Sequence, residues 1–269
     1  MTVAFDHIAH NYDREFSWSP IGVIQRKMVW RFLGETLDGS HAAEILELNC
    51  GTGEDALWFA NHHHRVLATD LSFEMIRVAR NKAIENQMGE KITFGVMDLL
   101  KASEQVARKR YDLVFSNFGG FNCLDEFQFE GWLKEQLPAL LKPGGKFVAV
   151  LMSKFCAWET LYFLLKFKSG KAFRRLSNGP VEGKLHPESS VLTWYYSPKW
   201  IKSHLPEVFT VTAVKPIGLF IPPSYLNRFF SRNMKCLPVL EKLEKVTRNI
   251  SAAAFVSDHY LIEIQLNPL

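Results

Sequence analysis

The sequence predicts an α/β fold: a Rossmann-like, seven-stranded, mostly parallel sheet with helices on both faces and helical cap insertions. Three observations carry that expectation. Ile45, Leu46 and Leu48 make a short apolar run that breaks at Gly51-Thr52-Gly53 and leads into the helical stretch Asp55-Ala56-Leu57-Trp58-Phe59-Ala60. This is a buried parallel strand, a tight turn and a helix, the first half of a nucleotide-binding βαβ unit. The next apolar run, 65–69, ends in Asp70, 19 residues past Gly51, the spacing at which an acid reaches the hydroxyls of a bound ribose. Further strand-length runs follow at 91–96, 111–115 and 147–151.

A length of 269 residues suits one such domain with insertions, and 47% apolar with 22% charged residues is the make-up of a globular chain. A net charge of +4 is too small to demand nucleic acid, but it allows an anionic substrate or a loose contact with a membrane surface. Cys50, Cys123, Cys156 and Cys236 lack C-x-x-C spacing and read as free thiols in a reducing compartment. Met1 to Phe16 is too polar and interrupted for a signal peptide, and no apolar run approaches the about 20 residues of a membrane span. A cytoplasmic location without stable membrane insertion is therefore expected, as a monomer or homodimer.

The remaining elements follow from periodicity and punctuation. Phe5, Ile8, Ala9 and Tyr12 share one helical face, and Ile21, Ile24, Met28 and Phe32 continue a second stripe. His62-His63-His64 reads as a solvated loop, because three adjacent residues on regular backbone cannot all face one ion; no metal site is expected. Ser72 caps a helix over 73–86, whose Ile76, Ala79 and Ala83 face the sheet. Strand 91–96 is followed by Met97-Asp98 and a helix over 99–108. Strand 111–115 opens into the loop Ser116-Asn117-Phe118-Gly119-Gly120-Phe121-Asn122. A helix over 126–141 carries Phe129, Trp132, Leu133, Leu137 and Leu140 and is stopped by the turn Pro143-Gly144-Gly145 before strand 147–151.

The second half holds fewer motifs. Trp158, Leu161, Tyr162 and Leu165 form a helical stripe, with Lys154, Lys166, Lys168, Lys171, Arg174 and Arg175 on and after it. A solvated basic face is the favoured reading, over a site for an anionic acceptor or lipid headgroup. Residues 177–197 read as a loop plus a short strand at 192–196. Strands 209–214 and 260–266 complete the sheet. Between them, 216–257 interrupts the usual hairpin with a short helix near 225–231 and a helix over 238–249. Interruptions of this length are usually functional. Leu219, Phe220, Tyr225, Phe229 and Phe230 make this one a cap over an acceptor pocket.

The glycine turn defines the ligand. Gly51 and Gly53 let the backbone bend sharply and let a ligand sit against it. A dinucleotide fingerprint would place a third glycine where Ala56 stands, and Glu54 and Asp55 put negative charge where a phosphate would bind. A nucleoside-containing ligand with positive charge and no phosphate fits, and S-adenosylmethionine (SAM) has those features.

The series E-L-N-C-G-T-G, D-L-S, M-D-L, Y-D-L-V-F-S-N and L-L-K-P-G-G-K resembles the motifs of class I SAM-dependent methyltransferases of the small-molecule type 11/25 kind, in order over about residues 1–152. Asn49 stands where the family usually has glycine, and asparagine tolerates the left-handed backbone. The resemblance implies an N-terminal helical lid over 1–40, in which Phe5-Asp6-x-x-Ala9-x-x-Tyr12-Asp13 closes over the cofactor with Tyr12 in contact. It implies a SAM-binding core over 41–152, with acceptor-binding caps at 153–205 and 216–257. Glu47 would lie near the ammonium, and Asp98 and its neighbour Met97 at the adenine. The implied cofactor-binding set is Tyr12, Glu47, Asn49, Gly51, Gly53, Asp70, Leu71, Met75, Met97, Asp98, Leu99, Ser116 and Asn117. The acceptor side takes Phe118, Phe121, Asn122, Tyr195 and Tyr225.

Methyl transfer from a sulfonium is an in-line displacement, so the protein mainly aligns the reactants and excludes water. A general base is needed only when the acceptor loses a proton early. The candidates are His7, His10, His186, Tyr195, Tyr196 and His259, and none is singled out by sequence. The expected function is transfer of a methyl group from SAM, leaving S-adenosylhomocysteine (SAH), to a small, fairly apolar metabolite. The alternatives are a non-catalytic SAM-binding partner subunit and an NAD(P)-dependent oxidoreductase.

Overall fold

The computed structural model describes residues 3–37, 41–186, 189–227, 230 and 236–268. Its strands are β1 (Glu44–Leu48), β2 (Arg65–Asp70), β3 (Ile92–Val96), β4 (Tyr111–Ser116), β5 (Leu141–Met152), β6 (Val181–His186), β7 (Ser189–Thr193), β8 (Phe209–Ile217) and β9 (His259–Leu266). Seven of them form one sheet in the order β3-β2-β1-β4-β5-β9-β8. β1 to β5 pair in parallel, and β9 alone runs against its neighbours β5 and β8. The expected seven-stranded, mostly parallel, Rossmann-like sheet is borne out.

Strand side chains alternate between two apolar layers, as a period of two requires. Leu46, Leu48, Val114, Phe147, Ala149, Ile262 and Ile264 pack on one face beneath Phe129, Trp132, Leu133 and Leu137. Ile45, Val66, Leu113, Phe115, Val148 and Val150 pack on the other, against Val29 and Leu33 of the helix Pro20–Thr36 and Phe59 of the helix Glu54–Asn61. Each such fully buried large side chain contributes roughly 2 kcal/mol.

Several elements differ from the sequence expectation. The helix at 126–141 is three continuous segments, Glu126–Gly131, a π-turn Trp132–Gln136, and Leu137–Leu140. Pro138 lacks the N–H that an α-helical ladder needs there, and a wider turn takes up the mismatch. Pro143-Gly144-Gly145 lies inside β5 as an irregularity, with Gly144 at φ +76°, and does not end an element. The span 177–197 holds an antiparallel pair, β6 with β7, instead of a loop and a strand at 192–196. Helix 99–108 shortens to Leu99–Lys101 and Ala102–Gln105. In the long interruption, a 3₁₀ turn Ser224–Leu226 leads into helical backbone at 227 and 230, inside the short helix expected near 225–231, whose residues 228, 229 and 231, Phe229 among them, lie outside the described residues; the later helix, expected over 238–249, is Leu237–Thr247.

Two polar residues expected in solvent are buried. His64 packs edge-on to Phe59 and its Nδ1 accepts from the Ala43 N–H at 3.1 Å. Arg175 donates to Glu159 Oε2 at 3.0 Å and to Asp258 Oδ1 at 2.7 Å. Burial alone would raise the Asp258 carboxyl, but neighbouring His259 and Arg175 overcome it and hold the group far below the usual carboxylate range.

Candidate functional site

A cavity of about 440 Å³ opens at the carboxyl ends of β1, β2 and β4, where ligands of open α/β sheets collect. Its floor is the expected turn. Asn49, Gly51 and Gly53 all take left-handed backbone, at φ +56°, +53° and +79°. Asp70 closes the floor: its Oδ2 accepts from the Gly51 N–H and its Oδ1 from the Ser72 N–H, each at 2.9 Å. Burial pushes the Asp70 carboxyl up, and these two amides pull against it. Asn49 Oδ1 accepts from Ser116 Oγ at 3.2 Å, and the Asn49 side chain lies where a Cβ on Gly120 would fall, 2.4 Å from its Oδ1.

The N-terminal segment covers this floor. Phe5, Tyr12, Phe16 and Ser17 line the cavity from above, and Ile8 and Ala9 pack on Met75. Two carboxylates hold the segment down. Asp6 Oδ1 accepts from Ser72 Oγ at 2.5 Å, at the start of the helix Phe73–Glu85. Asp13 Oδ1 accepts from Thr52 Oγ1 at 2.5 Å, and its Oδ2 pairs with Lys82 Nζ at 2.5 Å. Helix N-termini favour negative charge, so both contacts are electrostatically sound.

Glu54 and Asp55 do not present bare charge to the cavity, contrary to the sequence argument. Glu54 pairs with Lys82 at 2.6 Å and accepts from Trp18 Nε1 at 3.0 Å. Asp55 is buried against Arg26, accepts from Trp30 Nε1 at 2.6 Å and from Asn117 Nδ2 at 2.9 Å. Besides Asp70, the carboxylate that meets the turn is Asp13, on the Thr52 hydroxyl.

Of the cofactor set, Tyr12, Asn49, Gly51, Asp70, Leu71, Met75 and Asn117 line the cavity. Glu47 lies behind the turn, 1% exposed, with Oε2 unpartnered. Burial, then the charge of Asp55, push its carboxyl well above the usual range. Gly53 serves packing instead: a Cβ there would meet Ala79 Cβ at 3.0 Å. Met97 and Leu99 belong to the apolar layer, Ser116 is buried on Asn49, and Asp98 caps the next turn by accepting from the Leu100 N–H at 2.9 Å. None of these four reaches the cavity wall.

Of the acceptor set, only Phe118 lines the cavity. It sits at φ +45°, a strained position for a bulky residue, with Arg26 5.2 Å over its ring and His259 edge-on at 5.6 Å. Phe121 is core, packed on Phe129, Trp132 and Phe147. Asn122 is a buried clamp: it accepts from the Met152 N–H at 2.9 Å and donates to Trp194 O at 2.6 Å. Tyr195 lies under the Arg175 guanidinium at 5.1 Å, and Tyr225 stacks on Phe163 at 6.0 Å. Among the described candidate bases, His259 alone lines the cavity, its Nδ1 3.1 Å from Asp258 Oδ2. His7 and His10 are exposed, Tyr196 donates to Leu124 O at 2.6 Å, and the His186 side chain lies outside the described residues.

Sequence reasoning missed the rest of the wall. Gln25 and Arg26 come from the helix Pro20–Thr36, and the buried Arg26 Nε has no partner among the described residues. Leu185, Val191 and Thr193 come from β6 and β7, Met152 from the end of β5, and Ser224 from the long interruption. Arg26 was hidden beside the apolar stripe of Ile21, Ile24, Met28 and Phe32; the spacing of Gln25 and Arg26 beside Ile24 and Met28 was the available signal. Among the described residues no group of three or more His, Cys, Asp or Glu is placed to hold a metal ion.

Comparison with known proteins agrees with this geometry. A family model described as a methyltransferase domain matches residues 45–145. The chain is similar to the ubiquinone/menaquinone biosynthesis C-methyltransferase UbiE of Acidiphilium cryptum, 30% identical over 161 residues, covering 59% of this chain and 61% of that protein. It is 28% identical over 156 residues to the demethylmenaquinone methyltransferase of Porphyromonas gingivalis, covering 56% and 59%. The chain thus matches less than two thirds of the length of either relative. Among solved structures, the CcbJ methyltransferase of Streptomyces caelestis superposes with a TM-score of 0.63 at 16% identity, over 99% of this chain and 98% of that one. The DhpI–SAH complex superposes at 0.60 and 16% identity, over 98% and 94%. At such identity these two likenesses speak to the fold.

Proposed function

This chain belongs to the class I SAM-dependent methyltransferases, and from that premise we propose that it binds SAM in the cavity and transfers its methyl group to a small, fairly apolar metabolite. The observation that carries the reading is Asp70 tied to the Gly51 amide on the cavity floor, with Glu47, a buried acid with an unpartnered oxygen, two residues before Asn49 on the strand that leads into the turn. A cationic adenosyl ligand answers both features. Asp70 holds the ribose hydroxyls, Glu47 the ammonium, and Asn49, Gly51 and Leu71 leave room for the nucleoside. The unpartnered Arg26 Nε–H is a donor for the ligand's carboxylate.

Bound SAM supplies an already activated methyl group, so the chain's own work is alignment and desolvation. Tyr12, Phe16 and Phe118 exclude water around the sulfonium end. Phe5, Met152, Leu185 and Val191 supply the apolar wall that motivates an apolar acceptor. His259, backed by Asp258, is the group placed to take a proton from an acceptor hydroxyl or amine. A nicotinamide dinucleotide is disfavoured because Asp13 carries its carboxylate onto Thr52, where a pyrophosphate oxygen would need to sit.

Calorimetric titration with SAM, SAH and NADPH, followed by methyl-transfer assays on a panel of small phenols, quinols and amines, tests the proposal. Micromolar SAH binding with turnover of at least one acceptor supports it. NADPH binding without SAH binding overturns it, and SAH binding with no turnover across the panel favours the partner-subunit alternative.

A further inference from the structure

The helix Ala157–Leu165 is docked on one side only. Trp158 and Tyr162 pack into the cluster of Ile21, Ile221 and Leu226, and Trp158 Nε1 donates to Phe220 O at 3.0 Å. The opposite face carries Leu161, Leu164 and Leu165, spaced i, i+3, i+4, which are 55%, 43% and 72% exposed. The turn that follows presents Phe167, 97% exposed and at φ +55°. Scattered apolar residues on a surface need no explanation, but four large ones on one helix end do.

Charge decides what covers them. From Thr160 to Pro180 the sequence contains no aspartate or glutamate, and Lys166, Lys168 and Lys171 interleave with the apolar side chains. All three lysines are exposed, and none makes an ion pair among the described residues. Arg174 and Arg175, by contrast, are consumed by Glu159. An apolar ridge with an uncompensated cationic collar matches a bilayer interface, where the alkyl groups enter the acyl boundary and the lysines meet anionic headgroups.

We propose that this ridge docks the protein reversibly on an anionic lipid surface. No helix among the described residues is long and apolar enough to cross a membrane, so the attachment is peripheral. Tyr162 and Phe163 also pack on Tyr225, whose neighbour Ser224 lines the cavity, so the docked face adjoins the acceptor side of the site. The inference rests on the surface and does not depend on the methyl-transfer reading.

Flotation of the full chain with phosphatidylcholine vesicles, with and without phosphatidylglycerol, tests it. Binding is expected only with phosphatidylglycerol and is expected to fall with added salt. Phe167→Glu abolishes it, and Lys168→Gln and Lys171→Gln weaken it by roughly fivefold each, from about 1 kcal/mol per cation near such a surface. Far-UV circular dichroism confirms that each variant is folded. Failure to float with phosphatidylglycerol, or flotation that Phe167→Glu leaves unchanged, overturns the proposal. So does a wild-type dimer that Phe167→Glu dissolves with no vesicle binding, which assigns the ridge to a second copy.

Discussion

Thr52 donates its hydroxyl to the Asp13 carboxylate across 2.5 Å, joining the N-terminal segment to the glycine turn it covers. Lys82 neutralises the same carboxylate from the other side. The cover is therefore held down by a buried ion pair at the start of the helix Glu54–Asn61.

Replacing Asp13 by Ala removes the latch and leaves Lys82 with Glu54 alone. We expect a stability loss of about 2 kcal/mol, as for a charge-assisted hydrogen bond, and SAH affinity reduced about tenfold, or about 1.4 kcal/mol. Thermal unfolding and calorimetry read the two effects. Unchanged SAH affinity would show that the segment does not close the site.

Gly120→Ala puts a methyl group into the Asn49 side chain, with 2.4 Å to Oδ1 and 2.6 Å to Cβ. Asn49 has to move, and with it the turn. Overpacking of this kind costs about 1–3 kcal/mol, and SAH affinity is expected to fall more than the melting temperature suggests. Full SAH affinity in a folded Gly120→Ala protein would remove Asn49 from the binding floor.

Glu47 and Asp258 give opposite pH dependences. The Glu47 carboxyl is raised in the folded protein, so its contribution is complete below the unfolded carboxylate value near 4.5 and is lost as pH rises through the higher folded value. Glu47→Gln should flatten that loss, stabilise the ligand-free protein at neutral pH by roughly 1–3 kcal/mol, and weaken SAM binding. Urea titrations across pH, with and without SAM, check the crossing of the two effects.

The Asp258 carboxyl is lowered, so its contribution is present above the unfolded value of 3.8 and is lost as pH falls toward the folded one. Asp258→Ala also strips one partner from the buried Arg175. We expect a loss of about 3 kcal/mol at neutral pH that shrinks in acid, measured by thermal unfolding from neutral pH downward. A constant difference across that range contradicts the assignment.

The first half of the chain was legible because its physics is local. A strand, a turn at left-handed backbone and a helix are written in consecutive residues, so Gly51 and Asp70 were found by spacing, and Asn49 through the family resemblance. The role of Asn122 was not, since its partners Met152 and Trp194 lie on other elements and only folding brings them together. Phe121 shared the composition of a pocket loop, yet burial between Phe129 and Trp132 was the stronger demand. β6 escaped notice because Gly183 and Lys184 break its apolar pattern, and with it went Leu185 and Val191 of the cavity wall. Arg26 was overlooked because a cation inside an apolar stripe is explained only by Asp55, 29 residues away.

Asp70 is the direct test of the central claim. Calorimetric titration of SAH into the wild-type protein and Asp70→Ala should show affinity falling at least tenfold, or at least about 1.4 kcal/mol, in a variant that remains folded. Equal affinity in the two proteins would mean that the crevice beside Gly51 does not hold the adenosyl ligand.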